Sequence, residues 1–285
     1  MRVSADGSTT MTYGDDVALA YDLKDTRGFV NGDDASSLSG TPSWKVEGDV
    51  SSAGHPVAGE HPIGYDSGLT NALGYAIVTD TANTGTLTVD PLTLTATQIA
   101  DGTSIYGDAL APGEATLDGV LSGDQVTAVA ELANPTLSAS GNVNVGIYDQ
   151  QADTGNLDGV DAGNYTLDTV TQPDSYSVTP RPLTVTADDQ RKTEGRNDPT
   201  LTYQTETMTP GRGLVDGDTL AGELERETGE ALGDYAIQQG SVTGTNNPNY
   251  RVDFIGATLT IAAATPAPQP EPEPEPERAR ARAAA

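Results

Sequence analysis

Short runs in which apolar residues alternate with Thr or Ser recur along the whole chain. Leu87-Thr88-Val89, Leu92-Thr93-Leu94-Thr95-Ala96, Tyr176-Ser177-Val178, Leu183-Thr184-Val185-Thr186-Ala187 and Leu259-Thr260-Ile261 all keep a period of two. That period sends successive side chains to opposite faces and predicts half-buried β-strands. Long helical patterns are missing. One stretch occurs twice, Pro91-Leu92-Thr93-Leu94-Thr95-Ala96 and Pro182-Leu183-Thr184-Val185-Thr186-Ala187, with starts 91 residues apart (182 − 91). A Pro offers no N–H to a central ladder. The stretch therefore reads as a joint: the last strand of one module, a Pro stop, and the first strand of the next.

Three anchors recur in the same order between the joints. The first is an apolar pair before a Gly-Asp turn: Phe29-Val30-Asn31-Gly32-Asp33, Val120-Leu121-Ser122-Gly123-Asp124 and Leu214-Val215-Asp216-Gly217-Asp218. Gly takes positive φ freely and Asp or Asn bonds its own nearby backbone, so a tight turn accounts for these residues. The second is a Gly opening a strand, at Gly59, Gly146 and Gly233. The third is a Tyr that leads into the final strands, at Tyr75, Tyr165 and Tyr250. Together they predict a mainly β chain of three modules, residues 1–90, 91–180 and 181–262, each with its own core. Such spacing is too long for a solenoid, whose repeats span about 20–50 residues.

The segment Leu220–Glu227 fits a helical turn or a strand, and Gly222 favours the strand. From residue 263 the chain turns to Ala and Pro, then to a Pro-Glu alternation over Pro270–Glu277, then to Arg278, Arg280 and Arg282 among alanines. This composition predicts a disordered, extended polyproline spacer with a basic tip. At the other end, Val3-Ser4-Ala5-Asp6 matches Val185-Thr186-Ala187-Asp188, and Met11-Thr12-Tyr13 resembles Leu201-Thr202-Tyr203. Met1 then falls inside an opening strand, and the expectation is a C-terminal piece of a longer protein with any export signal upstream.

Charge narrows the function classes. With 42 acidic against 14 basic residues the formal net charge is −28, which repels nucleic acid and anionic membrane surfaces. A hydrated extracellular surface explains the acidity. The absence of cysteine excludes disulfides, thiolate metal sites and cysteine nucleophiles. No apolar run reaches the length of a membrane helix, and no signal-peptide pattern is visible.

The search for chemistry finds no set of catalytic, cofactor-binding or metal-ligating residues. His55 and His61 both precede prolines, and no third ligand is spaced to close a metal site with them. Asp158, Asp161 and Asn164 place three oxygen-bearing side chains in a Gly-rich loop, the sharpest calcium candidate, though turn chemistry explains the same residues. Trp44 and Phe29, in a module with an unusual loop insertion, are the best candidates for recognition of a ligand, with core packing as the alternative.

The ordered set of motifs resembles the MBG ("mostly β-grasp") repeats. The third module carries them most fully, in Leu201-Thr202-Tyr203, Gly213-Leu214-Val215, Gly217-Asp218, Gly233, Tyr235, Ile237 and Asn249-Tyr250. The second is similar to the related YDG-type repeat, through Gly119–Asp124, Asn144-Val145-Gly146 and Gly159–Leu167. The first departs most. It lacks Asn before Tyr75 and holds the only Trp. The resemblance implies β-grasp-like or β-sandwich-like modules in a filamentous-haemagglutinin-like bacterial adhesin, secreted or at the cell surface. It supplies no catalytic residues and no cofactor. The expected role is a non-enzymatic, semi-rigid stalk on the order of 100 Å long. The alternative is an adhesin module that grips a host protein or glycan, with calcium as a stabiliser. Neither nucleic acid nor membrane insertion is expected, and unpaired strand edges leave self-association open.

Overall fold

The computed structural model describes residues 1–264. It is mainly β, with 47% of residues in strands and 3% in helix. Helix is confined, among the described residues, to three single 3-10 turns at Ala35–Ser37, Thr154–Asn156 and Ala162–Asn164. Each module is built on a pair of sheets, and the first two add a short antiparallel pair each, Leu38–Ser39 with Thr70–Asn71 and Thr127–Ala128 with Leu157–Asp158. The Pro-Glu and Arg-Ala tail read from the sequence lies outside the described residues. No helix among them is long and apolar enough to cross a membrane.

Seven strands form the two larger sheets of the first module: β1 (Arg2–Ala5), β2 (Ser8–Thr12), β3 (Leu23–Arg27), β4 (Ser43–Val46), β5 (Gly59–Ser67), β6 (Val78–Thr79) and β7 (Thr86–Asp90). β1 lies between β3, antiparallel, and β6, parallel. The second sheet has the order β2-β7-β5-β4, with β2 parallel to β7 and the other pairs antiparallel. The opening stretch thus serves both sheets in turn, crossing between them at Asp6-Gly7. Val3 and Ala5 of β1, Ile63 of β5, and Leu87 and Val89 of β7 are buried in one core. Leu87 and Val89 flank the half-buried Thr88, the period seen in the sequence, whereas Ser4, between Val3 and Ala5, is itself buried.

The second module repeats the plan with β8 (Leu92–Ile99), β9 (Gly102–Ile105), β10 (Ala115–Asp118), β11 (Glu131–Leu132), β12 (Gly146–Ala152), β13 (Tyr165–Leu167) and β14 (Val170–Thr179). Its sheets run β10-β8-β13 and β9-β14-β12-β11. The third comprises β15 (Arg181–Ala187), β16 (Gln190–Thr193), β17 (Tyr203–Thr205), β18 (Glu225–Arg226), β19 (Gly233–Gln238), β20 (Tyr250–Ile255) and β21 (Ala257–Ala262), in the orders β17-β15-β20 and β16-β21-β19-β18. Gly59, Gly146 and Gly233 each open a strand, β5, β12 and β19. Of Leu220–Glu227 only Glu225-Arg226 is strand. At Gly222, with φ +109°, a Cβ would lie 2.4 Å from the carbonyl oxygen of Ser241, so this turn closes against the neighbouring loop and cannot extend as a ladder.

The chain falls into two compact units, Met1–Thr179 and the remainder from Pro180. Within the first unit the cores of the two modules are continuous: Tyr13, Leu94, Ile99, Tyr165 and Leu167 belong to the same buried cluster as Val3 and Leu87. Only Pro91 separates β7 from β8. The second joint differs from the sequence reading, because Pro180 is the residue between strands and Pro182 sits inside β15, the central strand of its sheet. Its carbonyl accepts the N–H of Gly213 at 2.9 Å. That side of β15 is paired to β17 only from Val185 to Ala187, so no ladder partner faces the missing N–H of Pro182.

Candidate functional site

The Gly-Asp turn and the late tyrosine, separate signals in the sequence, meet in every module. Turns close from the N–H of Asp33, Asp124 and Asp218 to the carbonyls of Val30, Leu121 and Val215, at 3.1, 3.1 and 3.0 Å. They require a left-handed residue, supplied by Gly32, Gly123 and Gly217 at φ +86°, +108° and +87°. The Asp at the end of each turn then faces the tyrosine that opens or precedes the sixth strand. The Tyr hydroxyl accepts the N–H of Val30, Leu121 or Val215, each at 3.1 Å. It donates to Oδ2 of Asp33, Asp124 or Asp218, at 2.7, 2.6 and 2.5 Å.

In the second module this pair is a filled socket. Tyr13, which follows β2 of the first module, also donates its hydroxyl to Oδ2 of Asp124, and it lies 2.6 Å from Oγ of Ser51. Its ring meets that of Tyr165 edge-on, with centroids 5.2 Å apart, a favourable arrangement for two ring quadrupoles. Gly14, at φ +90°, lets the turn seat on Leu121, where a Cβ would come within 2.6 Å of Cδ1. The other oxygen of Asp124 accepts the N–H of Ala53 at 2.8 Å.

The three calcium candidates find other employment. Asp161 accepts from the N–H of Ser52 (3.0 Å) and of Gln125 (2.9 Å), and so spans the two modules. Asn164 accepts from Ala58 at 2.8 Å, while Asp158 accepts from its neighbour Gly159. Their oxygens serve backbone amides in the module contact and in a turn. Among the described residues no group of three or more His, Cys, Asp or Glu is placed to hold a metal ion.

Burial, then the Asp124 hydrogen bond, pushes the Tyr13 phenol up to about 12, and burial and Asp124 likewise push Tyr165 upward. Burial alone would raise Asp124, but the bonds it accepts from Tyr13, Tyr165 and Ala53 outweigh that and hold it below the ordinary carboxylate value. The unfolded Tyr13 ionises near 10.0 and the folded one at about 12. Its contact therefore contributes stability that is complete below pH 10 and lost as pH climbs to 12. Calorimetry should show the first unit losing melting temperature across that window, and Tyr13→Phe should flatten the dependence.

The corresponding end of the third module is built differently. Glu194 occupies the place of Tyr13 and Tyr106: their backbone N–H groups bond the carbonyls of Ala262, Asp90 and Thr179 in the same position after the second strand. The sequence match of Met11-Thr12-Tyr13 with Leu201-Thr202-Tyr203 is therefore out of register, since Tyr203 opens the third strand. A short Thr-Tyr alternation fits either strand. Nearby, Lys192 lies 2.6 Å from Asp198 and 2.5 Å from Glu230, and Arg226 lies 2.7 and 2.6 Å from the same two carboxylates. Arg226 first, then Lys192, holds the Asp198 carboxyl down at about 2 against an ordinary 3.8. This contribution is present above pH 3.8 and lost as pH falls toward 2. Acid titration followed by the exchange of amides in β16 and β18 should show that loss, and Asp198→Asn should remove it.

Trp44 is a core residue, 7% exposed, with its indole N–H donating to the carbonyl of Tyr21 at 2.8 Å and its ring edge-on to Tyr65. Its emission should be blue-shifted and protected from iodide. A red, quenchable emission would place it in solvent instead. His61 is buried with its ring nitrogens against the carbonyls of Glu47 and Val57, and the His55 ring packs on Tyr13.

Residues 183–260 match the family model described as the MBG domain, YGX type. The third module is an MBG domain. The matched span runs from the third residue of β15 into β21, and so takes in the Asp218–Tyr250 pair of this MBG domain. No curated protein and no solved structure matches the chain.

Proposed function

We propose that the chain is a non-enzymatic spacer segment of a bacterial adhesin, secreted or held at the cell surface. The observation that carries this reading is the lock between the first two modules. One residue joins them, their cores are continuous, and Asp124, Asp161 and Asn164 fasten the turn and loops of one module onto the next. Such a contact suits a segment whose task is to hold distance, because it removes the freedom that a flexible linker keeps. The MBG domain in the third module agrees with a repeat of this kind. Polar groups are spent on joining modules, and the aromatic offered as a recognition residue, Trp44, is in the core.

The test is made on cells that produce the protein. Protease treatment of intact cells should release peptides of this chain, and the purified chain should bind no component of a glycan array or host-matrix panel. Recovery of the chain only after lysis would overturn the surface assignment. Saturable binding to one component would overturn the spacer role.

A further inference from the structure

The first module carries the same socket as the second, and there it is open. Tyr75 accepts the N–H of Val30 and donates to Asp33, as Tyr165 does with Leu121 and Asp124. Phe29 backs the Tyr75 ring edge-on at 5.6 Å. Tyr165 is 2% exposed beneath the docked Tyr13, whereas Tyr75 is only half-buried. Val30, in the place of Leu121, is 56% exposed, and Leu73, two residues before Tyr75, is 50% exposed. A carboxylate with a hydroxyl beside it and an aliphatic side chain on the turn is the arrangement that receives the Tyr-Gly turn one module further on.

We propose that Asp33, Tyr75 and Val30 form a docking socket for the Tyr-Gly turn of another β module of this kind, held in front of the first one. The inference goes beyond the spacer reading and stands on the filled socket alone. The occupant is specified by chemistry: a tyrosine hydroxyl to donate to Asp33, a ring to meet Tyr75, and a glycine to clear Val30. A second copy of this chain does not supply it. Tyr13 and Tyr106 are both buried, at 1% and 0% exposure, and the third module presents Glu194 in their place. Its carboxylate would face that of Asp33, and like charges repel.

The experiment places residues 1–91 as an added copy directly before Met1 of the full chain. Pro91 then precedes Met1 as Pro182 precedes Leu183, so the joint keeps its register. Hydrogen exchange is followed in the added copy, with its strand amides reporting folding and the amide of its Ala53, which in the filled socket bonds Asp124, reporting docking. We expect that amide to exchange at least tenfold more slowly than the same amide in an otherwise identical chain bearing Asp33→Ala in the receiving module. An added module that is unfolded, or folded with Ala53 exchanging freely, overturns the proposal, as does protection that Asp33→Ala leaves unchanged. Self-association of the unextended chain that Asp33→Ala abolishes would also overturn it, by assigning the socket to a second copy.

Discussion

Replacing Asp124 with Ala is expected to destabilise the first unit by about 3–4 kcal/mol and to split its unfolding into two steps. Two tyrosine hydroxyls and the N–H of Ala53 converge on this carboxylate. A hydrogen bond to a charged group contributes about 1.5–3 kcal/mol, and donors left buried without a partner add their own desolvation penalty. Ala at this position also frees Tyr13 from Tyr165, so the first module loses its hold on the second. Calorimetry should show a single transition for the first unit of the parent protein, and in the variant an additional earlier, smaller one reported by Trp44 fluorescence. Asp33→Ala removes the equivalent carboxylate where no second tyrosine uses it, and should cost about 1 kcal/mol. Equal effects of the two substitutions would mean that Asp124 contributes only to its own turn.

Gln150→Leu is expected to be at least as damaging, at about 4 kcal/mol, although the side chain bonds no residue of the first module. Gln150 is 0% exposed. Its carbonyl oxygen accepts the N–H of Gly113 at 2.7 Å, and its amide nitrogen donates to the carbonyls of Ala100 (2.9 Å) and Ser175 (3.0 Å). Leucine has nearly the same bulk but strands three backbone groups in the interior, and each unmade buried bond costs about 1–3 kcal/mol. The two backbones that Gln150 joins are closely packed, since a Cβ added at Gly113 would lie 1.8 Å from the Ala100 oxygen. Urea unfolding with an unchanged slope and a lower midpoint is the expected signature. A loss below about 1 kcal/mol would show that the loops relax to find water.

The strands were legible because alternation of Leu, Val and Thr is a local signal, and the joints because a six-residue run repeats. The turns and the tyrosines were each legible too, through Gly-Asp and Asn-Tyr. Their union was not, since Val30 and Tyr75 are 45 residues apart and nothing in either neighbourhood names the other. Gly-Asp carried a complete local explanation as a turn, which hid the second use of the carboxylate. Asp161 and Asn164 were noticed for their oxygens, but a carboxylate that caps a backbone amide and one that binds a cation look alike in sequence. Gln150 left no trace at all, because a polar residue in an alternating strand reads as facing solvent. Pro182 misled in the opposite way: the rule against proline in a central strand assumes a partner on both sides at that residue, and the pairing of β15 with β17 begins only at Val185.

One further consequence lies in the direction of the strands. In each module the opening strands run parallel to the closing ones, β1 beside β6 and β2 beside β7, with equivalents β15 beside β20 and β16 beside β21. Tension between a module's two termini pulls such neighbours in opposite senses along their common axis. The slanted, evenly spaced bonds of a parallel ladder are then loaded together in shear, where a hairpin pulled from its open end would unzip bond by bond. The five residue pairs of β2 and β7, from Ser8–Thr86 to Thr12–Asp90, act as a mechanical clamp whose strength is a property of topology and owes little to the overall stability of the module.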